Sequence, residues 1–209
     1  MRPFDVKDVL SKSRTKITSH EMKITIHKND ISKVRSDALI GPVDGNICAF
    51  GGCAAATALR KTIPCETPQE RMGLFEEILC HKPIPFGDAK FIEVDEYDLP
   101  WNRLLIISAL PHHVNGEIFS PDKCESILAK AIQNGVGLAL REGINSIATT
   151  LIGDSYRMPP ELSVRAMLSG FKTHQDKSID INWCFLDEYK MHVANKGCVA
   201  FGFKHKMIG

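Results

Sequence analysis

Residues 37–60 have the sequence DALIGPVDGNICAFGGCAAATALR, and this stretch decides the fold class. Its apolar start predicts a short strand, its small residues predict a loop, and its alanine-rich end predicts a helix. In α/β folds, small residues let the backbone approach a ligand closely. The helix that follows points free N–H groups and its positive dipole end at an anion. The stretch therefore predicts a phosphate-binding loop whose backbone donors include Gly51, Gly52 and Cys53.

A second segment repeats this arrangement. Residues 146–161, SIATTLIGDSYRMPPE, combine a strand, a loop that contains Gly153, and a helix start at Pro159 and Pro160. Two such loops on one sheet favour a ligand that carries a diphosphate or several polar sugar groups.

The composition is that of an ordinary globular protein. Of 209 residues, 44% are hydrophobic and 24% are charged, which suits a single domain with a substantial core. The net charge of +1 argues against a broad nucleic-acid surface but leaves room for a local basic patch. Seven cysteines without a CxxC pair predict free thiols in an intracellular compartment, cytoplasmic or nuclear. The sequence has no apolar run of the ~20 residues that a membrane span requires, and no secretory signal is expected.

Strand and helix patterns alternate along the chain. Strands are predicted at 22–27, within 34–40, and at 91–94, 104–110, 147–151 and 179–186. Helices are predicted at 53–61, 67–80 and 120–143, and from Pro159 onward. The tail from Glu188 predicts one or two helical turns and then a strand at 199–203. This alternation predicts a parallel or mixed sheet with helices on both faces.

Four local patterns link the chain to a known fold. Asn29-Asp30-Ile31-Ser32 follows the first strand, and Asp37-Ala38-Leu39-Ile40 opens the second. Residues 99–111 hold Leu-Pro, an apolar strand and a closing proline, and Gly153 leads a loop toward Pro159. With the order of the elements, these patterns resemble the macrodomain family, whose members bind ADP-ribose.

The resemblance covers about residues 22–195 and implies a three-layer α/β/α fold with a mixed sheet. It leaves residues 1–21 as an N-terminal extension. Residues 196–209 become a C-terminal extension with room for an extra strand.

The resemblance also implies binding roles. Asp30 matches the family's aspartate that accepts a hydrogen bond from the adenine amino group, although an aspartate after a strand also commonly caps a turn. Gly153 would let the backbone approach the diphosphate, Tyr156 would cover the distal ribose, and Arg157 would pair with phosphate. Phe185 would stack beside adenine, with Leu186 as the alternative. The expected ligand-binding residues are Asp30, Ile31, Gly51, Gly52, Cys53, Ile152, Gly153, Ser155, Tyr156, Arg157 and Phe185.

Two departures from the family pattern concern catalysis. Where the family has Asn-Ala-Ala-Asn, this chain has Gly41-Pro42-Val43-Asp44. Where a catalytic aspartate often follows the family's glycines, this chain has Ala54. The standard hydrolase mechanism therefore lacks its usual acid. Asp44 and Asp154 are the carboxylates that the resemblance places beside the distal ribose, and Asp154 equally suits a plain solvent-facing position.

Three functions stay open at this point. The first is a binding module for ADP-ribose or an ADP-ribosylated protein, which tolerates the loss of catalytic acids. The second is a hydrolase that removes ADP-ribose from a modified side chain, with Asp44 or Asp154 as the base. The third is an altered ligand on the same scaffold, such as another nucleotide, an RNA end or a partner protein. None implies a cofactor, a metal ion or a membrane, and the charge does not favour a nucleic-acid partner.

Overall fold

Seven strands form one mixed sheet in the part of the chain that the structure describes. The computed structural model describes residues 21–43, 84–94, 99–109, 120–153 and 158–209. The strands are β1 (Lys23–Lys28), β2 (Ala38–Val43), β3 (Ala89–Glu93), β4 (Arg103–Ser108), β5 (Ser146–Thr150), β6 (Asp180–Phe185) and β7 (Lys204–Ile208). Their order across the sheet is β3-β4-β2-β5-β6-β1-β7. All neighbours are parallel except β3 and β4, so the predicted mixed sheet is confirmed.

The burial of each strand follows its place in the sheet. Every residue of β2 is buried, and β4 is buried from its second residue onward. Strands at the centre of a parallel sheet are covered on both faces, which explains the continuous apolar run of β4. β7 lies at one edge and is largely exposed.

Three helices pack side by side on one face of this sheet. They are α1 (Pro121–Arg141), α2 (Pro160–Lys172) and α3 (Glu188–Phe201), with α1 against α2 and α2 against α3. Their inner residues and one face of the strands form a single core, in which the Phe171 and Trp183 rings meet edge to face at 5.9 Å. The helices predicted at 53–61 and 67–80 lie outside the described residues. In the described ranges, no helix combines the length and the apolar character needed to cross a membrane.

The ends of α1 follow the sequence prediction. The Ser120 hydroxyl accepts a hydrogen bond from the Lys123 amide at 3.4 Å, and proline occupies the first helical position. Gly143 follows the helix with φ of +70°, the left-handed conformation that ends many helices.

The prediction for the tail is confirmed in its order, a helix from Glu188 and then a strand, but its bounds were wrong. Residues 188–201 form a four-turn helix, and the strand lies at Lys204–Ile208 rather than at 199–203. β7 pairs in parallel with β1, so it joins the main sheet. The boundary predicted after residue 195 falls inside α3.

Trp101 and Trp183 are fully buried, as core anchors should be. The Trp101 indole N–H donates to the carbonyl of Val34 at 3.1 Å. Within the described ranges the Trp183 indole N–H has no hydrogen-bond acceptor, a cost of about 1–3 kcal/mol that its packing must offset.

Candidate functional site

The carboxyl ends of four parallel strands meet at one edge of the sheet. β2, β5, β6 and β1 are consecutive neighbours and run in the same direction. Five of the residues predicted to bind ligand follow or end these strands: Asp30, Ile31, Ile152, Gly153 and Phe185. Ligands of open α/β sheets bind at this edge, so these residues lie where a ligand is expected.

β2 and β5 separate toward this edge. β2 pairs with β4 along its whole length but with β5 only at Ala38 and Leu39. Pro42 has no N–H to donate, so β2 cannot sustain ladders on both sides there. The chain also switches sides here, because β4 lies on one flank of β2 and the next strand, β5, on the other. Such a switch point leaves a crevice beyond the strand ends, the usual ligand position.

Asp30 caps the short 3-10 turn Ile31–Lys33 that begins the crossing from β1 to β2. One carboxylate oxygen accepts from the Ser32 amide at 3.0 Å and from the Ser32 hydroxyl at 2.9 Å. The structural role that the sequence left open is therefore present. A carboxylate has a second oxygen, so a cap does not exclude an adenine contact.

The apolar residues predicted to lie near Asp30 differ in how exposed they are. Ile31 is 3% exposed and Phe185 is 4% exposed, with the Phe185 ring packed against Trp183 at 5.3 Å. Leu186, the alternative to Phe185, is 72% exposed. Because Leu186 is exposed, an adenine ring would reach it directly. Contact with the buried Phe185 would require neighbouring side chains to move.

Gly153 is the most constrained residue of this edge. Its φ is +111°, and its carbonyl accepts from the Met158 amide at 3.1 Å. A Cβ at this position would lie 2.5 Å from the Ser163 Oγ, closer than any Cβ tolerates. Ser163 is fully buried, and its hydroxyl has no hydrogen-bond partner among the residues that the structure describes. Ser163 could not be singled out from the sequence, because a serine in the first turn of a helix carries no signal of what it faces.

The start of α2 offers few backbone donors. Pro159 and Pro160 have no N–H, and the Leu162 and Ser163 amides donate to the Pro159 carbonyl at 3.0 and 3.1 Å. A phosphate near these four residues would gain from the helix dipole rather than from their amides.

Two polar contacts tie the helix starts to this edge. The ammonium of Lys28, the last residue of β1, pairs with Glu188, the first residue of α3. The hydroxyl of Tyr189 in α3 donates a hydrogen bond to Glu161 in α2. The hydrogen bond from Lys28 lowers the pKa of the Glu188 carboxyl, and that from Tyr189 lowers the pKa of Glu161. Both carboxylates thus stay charged at neutral pH.

The groups beside Asp30 do not form a nucleophilic centre. Cys184, His27 and Asn182 lie on neighbouring strands, and His27 Nε2 contacts the Asn182 side-chain oxygen at 2.9 Å. Burial, and then the charge of Asp30, raise the pKa of the Cys184 thiol to about 12. Such a thiol is a packing residue rather than a nucleophile. Across the described ranges, no three His, Cys, Asp or Glu side chains cluster closely enough to hold a metal ion.

The remaining predicted site residues lie outside the described residues. They are the tentative catalytic residues Asp44 and Asp154 and the ligand-binding residues Gly51, Gly52, Cys53, Ser155, Tyr156 and Arg157. Two of them continue directly from described positions, because Asp44 follows Val43 and Asp154 follows Gly153.

Solved structures share this architecture. A mutant of the Oceanobacillus iheyensis macrodomain with ADPR aligns with a TM-score of 0.66 at 17% identity, over 84% of this chain and 91% of that chain. The same macrodomain with MES bound gives 0.66 at 16% identity, over 88% and 93% of the two chains. The Trypanosoma brucei macrodomain in complex with ADP-ribose gives 0.63 at 19% identity, over 84% and 68%. No protein-family model and no curated protein matches the sequence.

Proposed function

We propose, because this chain has the macrodomain fold, that it binds ADP-ribose, either free or attached to a protein. The observation that carries the proposal is the convergence of Asp30, Gly153 and the end of β2 at one sheet edge, beside the crevice between β2 and β5. Structural neighbours that share the topology were solved with ADP-ribose, which supports the ligand class.

In this proposal the ligand lies across the carboxyl ends of the strands. The adenine amino group donates to the Asp30 carboxylate, and Phe185 or Leu186 lies beside the base. The diphosphate sits between the loop of Gly51, Gly52 and Cys53 and the loop of Ile152, Gly153 and Ser155. Tyr156 covers the distal ribose, and Arg157 pairs with phosphate. Backbone amides, the α2 dipole and Arg157 together favour the negative charge.

Calorimetry with two ligands tests the adenine contact. The wild-type chain should bind ADP-ribose more tightly than inosine diphosphate ribose, which lacks the amino group. Asp30→Ala should weaken ADP-ribose binding by ~1–3 kcal/mol and remove the preference between the two ligands. Asp176→Ala, which removes a carboxylate from an exposed position, should leave both affinities unchanged. No binding of ADP-ribose, ADP, AMP or NAD by the wild-type chain would refute the proposal.

A hydrolase is the second candidate. Asp44 and Asp154 continue from Val43 and Gly153, at the ends of neighbouring strands, so both belong beside the same crevice in this proposal. Either carboxylate could activate water at the anomeric carbon, a contribution of roughly 100- to 10,000-fold. Mono-ADP-ribosylated protein should then lose label with the wild-type chain and much more slowly with Asp44→Asn or Asp154→Asn. Binding without release above background supports the binding module alone.

A further inference from the structure

The sheet face opposite the helices is polar at the end formed by β1 and β7. Side chains alternate between the two faces of a strand. Ile24 and Ile26 are fully buried in the core beneath the helices, so Lys23, Thr25 and His27 point to the opposite face.

β7 adds to this face through its register with β1. Lys204 lies beside Lys23 and Lys206 beside Thr25, so both lysines lie on the sheet face opposite α1, α2 and α3. His205, on the other side of β7, contacts the Asn195 side chain of α3 at 2.9 Å, which confirms the assignment of faces.

The crossing segment from β1 to β2 runs over the same face. The Asn182 side chain, in register with Thr25, donates to the Ser36 hydroxyl at 2.9 Å. Within this segment Ile31 and Val34 are buried, whereas Lys33 and Arg35 are exposed. The two cations therefore point outward from the sheet on the side that carries Lys23.

Five exposed cations lie on this side of the sheet, and we call them the basic face: Lys23, Lys33, Arg35, Lys204 and Lys206. Lys204 pairs with Glu21 at 2.6 Å, and Asp180 lies opposite Lys23 in the register. In the described part of the chain, the other four cations form no ion pair. The outward residues of β1 and β7 include no Phe, Tyr or Trp.

We propose that the basic face binds the phosphate backbone of a nucleic-acid duplex without reading its sequence. Parallel sheets are normally covered on both faces, yet here Lys23 and Lys206 of two parallel strands are exposed to solvent and form no ion pair with any residue that the structure describes. Lysine and arginine side chains supply the phosphate contacts of nucleic-acid complexes. The outward residues of β1 and β7 lack the Phe, Tyr and Trp rings on which single-stranded bases stack, so a duplex is the matching polyanion. The whole-chain charge of +1 conceals this local excess.

Fluorescence anisotropy with a labelled mixed-sequence DNA duplex tests the proposal. The wild-type affinity should fall linearly with salt on logarithmic axes between about 50 and 200 mM. Lys23→Gln with Lys206→Gln should reduce that slope by about 1.8, because each phosphate contact contributes about 0.9. Between about 50 and 200 mM salt, the affinity advantage of the wild type over the double variant should therefore shrink by roughly tenfold.

The control is Lys130→Gln with Lys196→Gln, which removes the same charge from exposed positions on α1 and α3. This control should bind the duplex within about twofold of wild type. Equal weakening of both double variants, or no binding by the wild-type chain, overturns the proposal. Displacement of the duplex by excess ADP-ribose, or tighter binding of polyglutamate than of the duplex, also overturns it. All variants should bind ADP-ribose like wild type, which keeps this test independent of the proposed function.

Discussion

Gly153 is the residue on which the loop after β5 depends. Gly153→Ala should destabilise the chain by ~1–3 kcal/mol, because the new Cβ would meet Ser163 Oγ at 2.5 Å in a backbone conformation with φ of +111°. ADP-ribose affinity should fall with it, since the loop must shift. Urea denaturation measures the first effect and calorimetry the second.

Gly143→Ala is the matched control. Gly143 has φ of +70°, but nothing lies within 4 Å of its Cβ position. Its substitution should cost only about 1 kcal/mol and leave ADP-ribose affinity unchanged. Equal effects of the two substitutions would show that the contact with Ser163 does not contribute to the loss of stability or affinity.

Cys184 should be inert in the folded chain. A pKa raised from 9.0 to about 12 leaves about one thiol in ten thousand ionised at pH 8, and only the thiolate reacts. Iodoacetamide at pH 8 should therefore leave Cys184 unmodified until denaturant is added, as peptide mass spectrometry would detect. Rapid alkylation of Cys184 in the native chain would contradict its burial.

Single residues were the least predictable part of the site. The sequence predicts that Asp30 follows the first strand. It also offers two roles for this side chain, a cap on a turn or a contact with a ligand, and does not decide between them. The hydrogen bonds from Ser32 show the capping role. The contact between Gly153 and Ser163 could not be predicted, because it depends on how the loop returns onto α2 in three dimensions.

Gly197 and Gly137 separate two reasons for a glycine inside a helix. In α3, a Cβ at Gly197 would lie 2.6 Å from Val164 and 2.7 Å from Leu168, so the glycine allows α3 to pack closely on α2. In α1, a Cβ at Gly137 would meet its nearest atom at an ordinary 3.4 Å.

The two substitutions should therefore shift the free energy of unfolding in opposite directions. Gly197→Ala should lower it, because overpacking by about 1–3 kcal/mol outweighs the helix preference of alanine. Gly137→Ala should raise it by up to ~1 kcal/mol. Urea denaturation of both variants gives the signs, and stabilisation by Gly197→Ala would contradict the close packing of α2 and α3.

Helices and strands were predicted well where the signals that define them lie within the segment itself. α1 and β4 were predicted almost to their ends, because a capping serine, a proline, a terminal glycine and a long apolar run all lie within the segment. α3 was predicted too short, because its apolar residues follow no clear stripe and Gly197 interrupts it. The strand-like end at 199–203 is instead the last turn of that helix and its glycine cap, Gly202, with φ of +71°.

For the whole molecule, the last residues should be part of the fold. Truncation after Asn195 would cut α3 and remove the buried Cys198 and Phe203 together with β7. The shortened chain should lose its cooperative thermal transition, as circular dichroism would measure. An unchanged midpoint would instead support the prediction that residues 196–209 are a C-terminal extension.

The position of the candidate site was predictable at this scale, and its contents less so. Alternating strands and helices predict a mostly parallel sheet, and parallel strands share a carboxyl edge. The sequence alone therefore predicts that Asp30 and Gly153 lie at the same edge of the sheet. It cannot predict the separation of β2 from β5, since that depends on how neighbouring strands pair around Pro42.

The place of β1 in the sheet has a consequence for synthesis on the ribosome. Although β1 comes first among the described strands, its two neighbours, β6 and β7, are the last to be translated, with Lys23 paired to Asp180 and to Lys204. A nascent chain must hold Ile24 and Ile26 without their final partners until translation of these strands is complete. Contacts of such long sequence separation slow folding and prolong exposure to aggregation. Chaperones that bind the exposed apolar strands of the nascent chain should therefore raise the yield of folded protein.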